Sequence, residues 1–246
     1  MMIPGWQKRY LQILKEFNYT EKKDKESAIL LDSILRNSDT EKKLEKMISK
    51  KTVFVIGSGP SLPIAISKLK NFKETIKIVA DSAVKPLVDN EIVPDIIITD
   101  LDGDRPTLKK LGKTKSILVV HAHGDNIKKL EFASQFKNSI GTTQTKPFGK
   151  LHNFGGFTDG DRGVFLASQF GAKKIILFGM DLGNRIGKFS NTKKAERKTK
   201  IMKLQTAESL LEWLANNTES ELLTTSRPIK GFKKIPYSKL ADIIIT

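Results

Sequence analysis

The chain has 246 residues, of which 39% are hydrophobic and 28% charged, as expected for a globular protein with one main core. It contains no cysteine, which excludes disulfides, thiolate catalysis and cysteine-ligated zinc. No apolar run reaches the length of a membrane span, and Met1 to Tyr10 lack the apolar centre of a secretion signal. We therefore expect a cytoplasmic protein with no membrane partner.

The formal net charge of +16 raises the question of nucleic-acid binding. Only seven of the 43 basic residues are arginines, although the guanidinium group is favoured for contacts with bases and phosphates. The lysines are dispersed, and no helix-turn-helix, zinc-finger or RNP motif is present. This pattern favours a solvated lysine-rich surface, as in thermophiles, and we do not expect nucleic acid as a partner.

Apolar residues at helical spacing predict an N-terminal helical subdomain over residues 1–50. From residue 51 to 246, short β-branched runs alternate with amphipathic stretches. The runs read as strands are Thr52–Ile56, Ile76–Ala80, Asp95–Thr99, Ser116–Val120, Lys174–Phe178, Glu221–Thr225 and Ile243–Thr246. Strands that are apolar throughout and separated by helices indicate an α/β domain with a mostly parallel sheet, covered by helices on both faces.

Polar clusters follow directly after five of these runs. In open parallel sheets, ligands bind outside the carboxyl ends of the strands, so we expect the clusters to form one site. They are Gly57–Ser61, Asp81–Ala83, Asp100–Asp104, His121–Asn126 and Gly179–Asp181.

The first cluster predicts contacts with a nucleotide or its phosphates through Gly57, Ser58, Gly59 and Ser61, because glycines allow close approach of the backbone. Leu62 stands where a dinucleotide-binding loop has its third glycine, and no Walker A lysine follows. A plain tight turn remains the alternative.

Asp100, Asp102 and Asp104 form the strongest signal for a metal site. Alternate residues of an extended segment project the same way, so we expect their carboxylates to converge. Crowded carboxylates repel one another unless a cation neutralises them, and hard oxygen ligands suit Mg²⁺. Asp125 is a further candidate ligand.

Two other groups of residues could contact ligands. His121 and His123 could bind a transition metal. The preferred interpretation is that one histidine is a polar residue at the end of a strand and the other forms a hydrogen bond to the substrate. Near the start of a predicted helix, Phe154 and Phe157 offer stacking faces. Asp159, Asp161 and Arg162 follow them. Either aspartate could accept hydrogen bonds from the N–H groups of a planar heterocycle, and the alternative for Asp161 is to cap the helix.

Three segments resemble the archaeal 6-hydroxymethyl-7,8-dihydropterin pyrophosphokinases, whose catalytic fold is similar to that of thiamine pyrophosphokinase. They read Asp-Leu-Asp-Gly (100–103), His-Ala-His-Gly-Asp-Asn (121–126) and Asn-Phe-Gly-Gly-Phe-Thr-Asp-Gly-Asp-Arg (153–162). The resemblance implies Mg²⁺-dependent transfer of diphosphate from ATP to the hydroxymethyl group of the pterin, with release of AMP, in tetrahydromethanopterin- or folate-type pterin synthesis. By motif, the metal ligands would be Asp81, Asp100, Asp102 and Asp125.

The resemblance also bears on substrate choice and catalysis. Thiamine enzymes have Gly-Gly-Ala-Asn where this chain has Ser82–Lys85, and acidic residues where it has His121 and His123, which argues against thiamine. An aspartate or His123 could take the hydroxyl proton. Additional positive charge could come from Lys85, Arg105 or Arg162. A homodimer is compatible with the sequence.

Three alternative functions stay open at this stage. The chain could transfer diphosphate to thiamine or another alcohol. A Rossmann-type enzyme could use Gly57–Ser61 for a nucleotide cofactor and Asp81 for its ribose, but this reading leaves the remaining aspartates unexplained. A basic nucleic-acid-binding protein is the third alternative.

Overall fold

A computed structural model describes residues 3–36, 38–190 and 192–245. Its helices are α1 (Trp6–Phe17), α2 (Glu21–Ile34), α3 (Thr40–Ile48), α4 (Leu62–Leu69), α5 (Asp81–Val88), α6 (Arg105–Leu111), α7 (Asp159–Gln169), α8 (Arg197–Ala215) and α9 (Leu240–Ile245). Its strands are β1 (Thr52–Ile56), β2 (Ile76–Ala80), β3 (Ile96–Thr99), β4 (Ile117–Ala122), β5 (Ser139–Thr143), β6 (Leu151–His152), β7 (Lys174–Phe178), β8 (Glu221–Thr224) and β9 (Lys233–Lys234).

These strands form one sheet in the order β6-β5-β4-β3-β2-β1-β7-β8-β9, and every neighbouring pair is parallel. The prediction of an α/β fold with helices on both faces is confirmed. The strand predicted at Ile243–Thr246 is wrong, because residues 243–245 belong to α9 and Thr246 lies outside the described residues. Strand β5 was not predicted, since its small and polar residues lack a strong β pattern.

Successive strand residues point to opposite faces of the sheet, and both faces are apolar. In β1, Val53 and Val55 pack in the core that includes α1, α3, α7 and α8. Phe54 and Ile56 pack in the opposite core, with α2, α4, α5 and α6. The continuous apolar runs therefore serve two cores at once.

The N-terminal helices contribute to both of these cores. Trp6 of α1 is fully buried, and its indole N–H donates to the carbonyl oxygen of Gln144 at 3.0 Å. The hydroxyl of Tyr10 donates to Asp24 of α2 at 2.8 Å. Because α1 and α2 lie in different cores, this bond joins the two helix layers. It lies past the carboxyl end of β5, where Gln144 also contacts Asp24.

The order of the strands places a switch point between β1 and β7, from which the chain proceeds in opposite directions. Crevices at the carboxyl ends of strands open at such points. Helix α7 packs closely over the sheet because residue 163 is glycine: a Cβ there would lie 3.1 Å from Ile78 and 3.2 Å from Val55. Within the described residues, no helix is both long and apolar enough to cross a membrane.

Replacing Trp6 with alanine should lower the free energy of unfolding by about 3–5 kcal/mol, because it removes a large buried ring and leaves a cavity. Chemical denaturation followed by circular dichroism measures this change. Leu11 lies on the same helix and is 52% exposed, so Leu11→Ala should cost about 0.5 kcal/mol or less. Equal effects of the two substitutions would contradict the packing described for α1.

Candidate active site at the carboxyl edge of the sheet

Three carboxylates meet at the carboxyl edge of the sheet. Asp81 begins α5 directly after β2, Asp100 follows the adjacent strand β3, and Asp159 begins α7. One oxygen of each lies within 4.8 Å of the others. We call Asp81, Asp100 and Asp159 the carboxylate cluster.

Asp81 is the most buried member of the carboxylate cluster. One oxygen, Oδ2, accepts hydrogen bonds from the Thr99 hydroxyl at 2.5 Å and the Gly103 amide at 3.0 Å. The other, Oδ1, has no hydrogen-bond partner among the described residues. Burial, together with the charges of Asp100 and Asp102, raises the pKa of Asp81 from 3.8 to about 7. A buried oxygen without a partner beside two other carboxylates fits a site for a hard divalent cation.

The other two members differ in their electrostatic surroundings. Burial raises the pKa of Asp159 well above its usual value, and the charges of Asp100 and Asp81 raise it further. Burial is the largest single effect on Asp100 and acts to raise its pKa. The hydrogen bond and charge of His123, the Asp102 amide and the Arg162 charge together outweigh it, so the pKa is lowered. The Nε2 atom of His123 lies 3.5 Å from Oδ2 of Asp100. The cluster is therefore a strongly coupled group of acids.

Arg162 lies beneath the carboxylate cluster and is almost completely buried. Its guanidinium group donates to the carbonyl oxygens of Gly156 and Phe157, both at 3.3 Å. Its Nη1 atom lies 3.6 Å from a carboxylate oxygen of Asp159. Arg162 thus orients the start of α7 and balances part of the negative charge.

Asp161 is a structural residue, which corrects its predicted role in ligand binding. Its two oxygens accept hydrogen bonds from the backbone amides of Phe157 and Thr158 and from the Thr158 hydroxyl. The side chain is fully buried. It completes a capping box at the first turn of α7, which was the alternative interpretation.

The expected convergence of Asp100, Asp102 and Asp104 is wrong. Leu101 has a φ angle of 68°, so the chain turns there and alternate side chains diverge. Asp104 caps α6 by accepting bonds from the amide and hydroxyl of Thr107. Asp102 is exposed and pairs with Lys129. Asp102 and Asp125 nevertheless line the opening above the carboxylate cluster, and their roles as metal ligands stay predictions.

One cavity beside the cluster is formed at the switch point of the sheet. Gly57, Ser58 and Gly59 after β1 face the segment 179–187 after β7 across this space, which we call the glycine-loop cavity. A Cβ at Gly59 would lie 2.6 Å from the carbonyl oxygen of Gly179, so only glycine permits the close approach. Ser61 is engaged by Asp181, which accepts bonds from its amide at 2.8 Å and its hydroxyl at 2.9 Å.

A second cavity lies on the other side of Asp159, and we call it the aromatic cavity. Its walls include Tyr19, His121, His123, Phe157 and Arg162. Phe154, predicted as a stacking face, is instead buried in the core, where it stacks on His152 with ring centroids 5.4 Å apart.

His121 is buried in the wall of the aromatic cavity. Its Nδ1 atom lies 3.1 Å from the hydroxyl of Thr142, which in turn donates to the carbonyl oxygen of Val120 at 3.3 Å. With the Thr142 hydroxyl donating to Val120, Nδ1 is the donor to Thr142 and carries the proton in this arrangement. Nε2 has no hydrogen-bond partner among the described residues and is left as an acceptor. Burial and the nearby Arg162 lower the pKa of His121 well below its usual value, so the ring is neutral.

Of the three cations predicted near the site, only Arg162 lines one of these cavities. Arg105 is exposed and its guanidinium group stacks on Phe132, 4.5 Å from the ring centroid. Lys85 is exposed and pairs with Asp89 at 2.9 Å. Both side chains have partners on the surface and lie outside the cavities, so of the three alternatives for additional positive charge the structure favours Arg162.

Sequence reasoning missed several residues that line the cavities. Lys200 and Lys203 come from the first half of α8, and Asp24 and Gln144 come from α2 and the segment after β5. The lysines had been assigned to the solvated surface. Their spacing of three residues, which places them on one side of a helix, is the signal that could have revealed them.

Replacing Asp81 with asparagine should stabilise the metal-free protein, because it removes a buried charge and keeps an acceptor for Thr99 and Gly103. We expect the melting temperature to rise on the order of 2–4 °C, equivalent to about 1 kcal/mol. The gain should be full above pH 7, the raised pKa, and should vanish as the pH falls below 3.8, where the carboxyl is protonated in both the folded and unfolded states.

Added Mg²⁺ should make the wild type more stable than Asp81→Asn. The cation should raise the melting temperature of the wild type, because ligands that bind only the native state stabilise it, and should raise that of Asp81→Asn much less. Asp89→Asn removes an exposed carboxylate next to the same helix and should respond like the wild type. An equal response of Asp81→Asn and Asp89→Asn to Mg²⁺ would argue against the cluster as the cation site.

The comparisons with known proteins agree with one another. A family model described as "6-hydroxymethylpterin diphosphokinase MptE-like" matches residues 28–187. A Pyrococcus furiosus protein named 6-hydroxymethyl-7,8-dihydropterin pyrophosphokinase is 41% identical over 228 residues, which cover 90% of this chain and 97% of that protein. A Methanocaldococcus jannaschii protein of the same name is 42% identical over 241 residues, covering 91% and 100%. A third protein of this name, from Methanothermobacter thermautotrophicus, is 37% identical over 224 residues, which cover 88% of this chain and 97% of that protein.

Among solved structures, that of MAf glycosyltransferase from Magnetospirillum magneticum AMB-1 superimposes with a TM-score of 0.54. The match covers 87% of this chain but 39% of the other, at 15% identity, so it bears on the fold alone. The family model spans β1 to β7 and the carboxylate cluster, and the three archaeal relatives cover 88–91% of this chain. The chain therefore belongs to the MptE-like 6-hydroxymethylpterin diphosphokinase family.

Proposed function

We propose that the chain transfers diphosphate from ATP to the hydroxymethyl group of 6-hydroxymethyl-7,8-dihydropterin and releases AMP. The observation that carries the proposal is the position of the carboxylate cluster between two cavities of different character. Asp159 lines both the glycine-loop cavity and the aromatic cavity. Two substrates placed in these cavities would meet at the cluster, as a bisubstrate transfer requires.

The proposed reaction forms one bond and breaks one bond. The hydroxymethyl oxygen of the pterin bonds to the β-phosphorus of ATP, and the bond from that phosphorus to the oxygen bridging it to the α-phosphorus breaks. The bridging oxygen leaves with AMP, and the hydroxyl proton is released. Because the transition state is loose, the protein mainly has to position the reactants and balance charge.

The carboxylate cluster would hold Mg²⁺. Asp81, Asp100 and Asp159 supply the oxygen ligands that this ion prefers, and the free Oδ1 of Asp81 has no other partner among the described residues. When bound, the ion supplies positive charge to the phosphate oxygens. Asp102 and Asp125 line the same opening and would complete its coordination directly or through water.

The nucleotide would occupy the glycine-loop cavity. Its position at the switch point between β1 and β7 is the usual one for nucleotides in open parallel sheets. Backbone amides of Gly57–Gly59 would face the phosphates, and Ser58 and Ser82, whose hydroxyls lie 2.7 Å apart, would add donors. Ser61 would act indirectly by fixing the loop to Asp181.

The pterin would occupy the aromatic cavity. Phe157 is half-buried there and packs against Phe17, with 4.9 Å between ring centroids, so one face of its ring is supported from behind. The neutral His121 offers an acceptor for a ring N–H of the pterin. His123 lies 3.5 Å from Asp100, and one of these two residues would receive the hydroxyl proton. Location in the cytoplasm and assembly as a homodimer stay predictions from the sequence.

The direct test measures AMP release from ATP and Mg²⁺ with the hydroxymethyl pterin, with thiamine, and without an acceptor. We expect AMP and pterin diphosphate in equal amounts only with the pterin, and loss of activity on chelation. Formation of ADP would indicate transfer of a single phosphoryl group. AMP formation with thiamine but not with the pterin would assign the chain to a different alcohol acceptor.

Replacing Phe157 with alanine should raise the KM for the pterin about tenfold, because stacking on an aromatic ring contributes about 1–3 kcal/mol per base. The KM for ATP should change little, since the glycine-loop cavity lies on the other side of Asp159. Phe170→Ala is the matched control, because that ring packs on Phe154 and not in the aromatic cavity. A larger change in the KM for ATP than for the pterin would contradict the assignment of the two cavities.

A further inference from the structure

Lys200 has an unusual position in the site. Of the basic side chains on the described residues, it is the one that lines the glycine-loop cavity, the aromatic cavity and the opening above the carboxylate cluster. It projects from the first turn of α8, across from α7. It therefore stands where groups bound in the two cavities would meet.

The ammonium group of Lys200 is available to a ligand. The side chain is half-buried, yet it makes no hydrogen bond or ion pair with the residues that the structure describes. Its positive charge acts on Asp159, where it lowers the pKa against the larger effect of burial.

Three of the other cations around the site are already engaged. Arg162 is bound to two backbone carbonyls and to Asp159. Lys203 lies over the rings of Tyr19 and Phe157, at 5.6 and 5.8 Å. Lys129 pairs with Asp102 outside the cavities. Arg185 lines the glycine-loop cavity alone and Lys23 the aromatic cavity alone. Lys200 is thus the cation best placed to receive an anionic group at the junction.

We infer that Lys200 is a catalytic residue that binds the diphosphate group during its transfer from one cavity to the other. The inference rests on the proposed function. Before transfer, the ammonium group would contact oxygens of the β- and γ-phosphates of ATP. As the bond from the β-phosphorus to the bridging oxygen breaks and the bond to the pterin oxygen forms, negative charge develops at the phosphate groups between the cavities. A fixed ammonium group there stabilises that charge.

The position on α8 suits this role. Three carboxylates and a bound polyphosphate would place excess negative charge at the junction. The carboxylates that would bind the metal follow β2 and β3 and begin α7. Lys200 comes from a different element, α8, and lines the same opening as the carboxylates. It would therefore offer phosphate oxygens a contact besides the cation held by the carboxylate cluster.

The test compares Lys200→Met, Lys200→Arg and Lys198→Met in the AMP-release assay. For Lys200→Met we expect kcat to fall on the order of 10²- to 10³-fold, with a KM for the pterin within about threefold of wild type, because the interaction is strongest in the transition state. Lys200→Arg should recover part of kcat. Lys198 is exposed on the same helix, outside the cavities, and Lys198→Met should keep wild-type activity.

A binding measurement separates a contact with phosphate from a structural role. Affinity for α,β-methylene-ATP, measured by calorimetry without metal, should fall about tenfold in Lys200→Met and stay unchanged in Lys198→Met. The melting temperature of Lys200→Met should be no lower than that of wild type. A wild type that forms no AMP would overturn the proposed function and this inference with it. An active wild type with Lys200→Met close to it in both kcat and affinity would overturn the inference alone.

Discussion

The site depends on three carboxylates held within 4.8 Å of one another in a largely buried position. Such a group is unfavourable by itself, because each charge is desolvated and repels the other two. The raised pKa values of Asp81 and Asp159 express this cost. The fold maintains the arrangement by burying Asp81 under hydrogen bonds from Thr99 and Gly103 and by placing Arg162 beneath Asp159. A bound divalent cation would turn the same repulsion into coordination.

The sheet creates the second requirement, which is space on both sides of the cluster. Neighbouring strands deliver Asp81 and Asp100 at the same edge because all strands are parallel, so their carboxyl ends coincide. The reversal of strand order between β1 and β7 opens the glycine-loop cavity. Helix α7 then brings Asp159 to the boundary between the cavities, and Gly163 lets this helix approach the sheet closely enough to do so.

The helices that precede the sheet take part in the site as well as in the cores. Tyr19, between α1 and α2, and Asp24, in the first turns of α2, form part of the wall of the aromatic cavity. Asp24 accepts hydrogen bonds from Tyr10, Gln144 and the amide of Gly124, so it ties this wall to the loop after β4. The aromatic cavity is therefore assembled from remote parts of the chain, whereas the glycine-loop cavity needs mainly the loops after β1 and β7.

Much of this was accessible from the order of residues alone. Apolar runs separated by amphipathic stretches determine an α/β sheet with two covered faces, because strands such as Val53–Ile56 can be buried only in that way. The rule that ligands bind at strand ends then located Gly57–Gly59, Asp81 and Asp100.

Local sequence could not determine which carboxylates meet. The φ angle of 68° at Leu101 separates Asp102 and Asp104 from Asp100, and α7 brings in Asp159 from 59 residues away. Lys200 was overlooked for the same reason, since a lysine on a helix is identical in sequence whether it faces water or phosphate. The fold class and the chemistry available at the sheet edge thus follow from the pattern of residues along the chain. Only tertiary packing decided which charges converge, because electrostatic interactions depend on distance in space and not on separation along the chain.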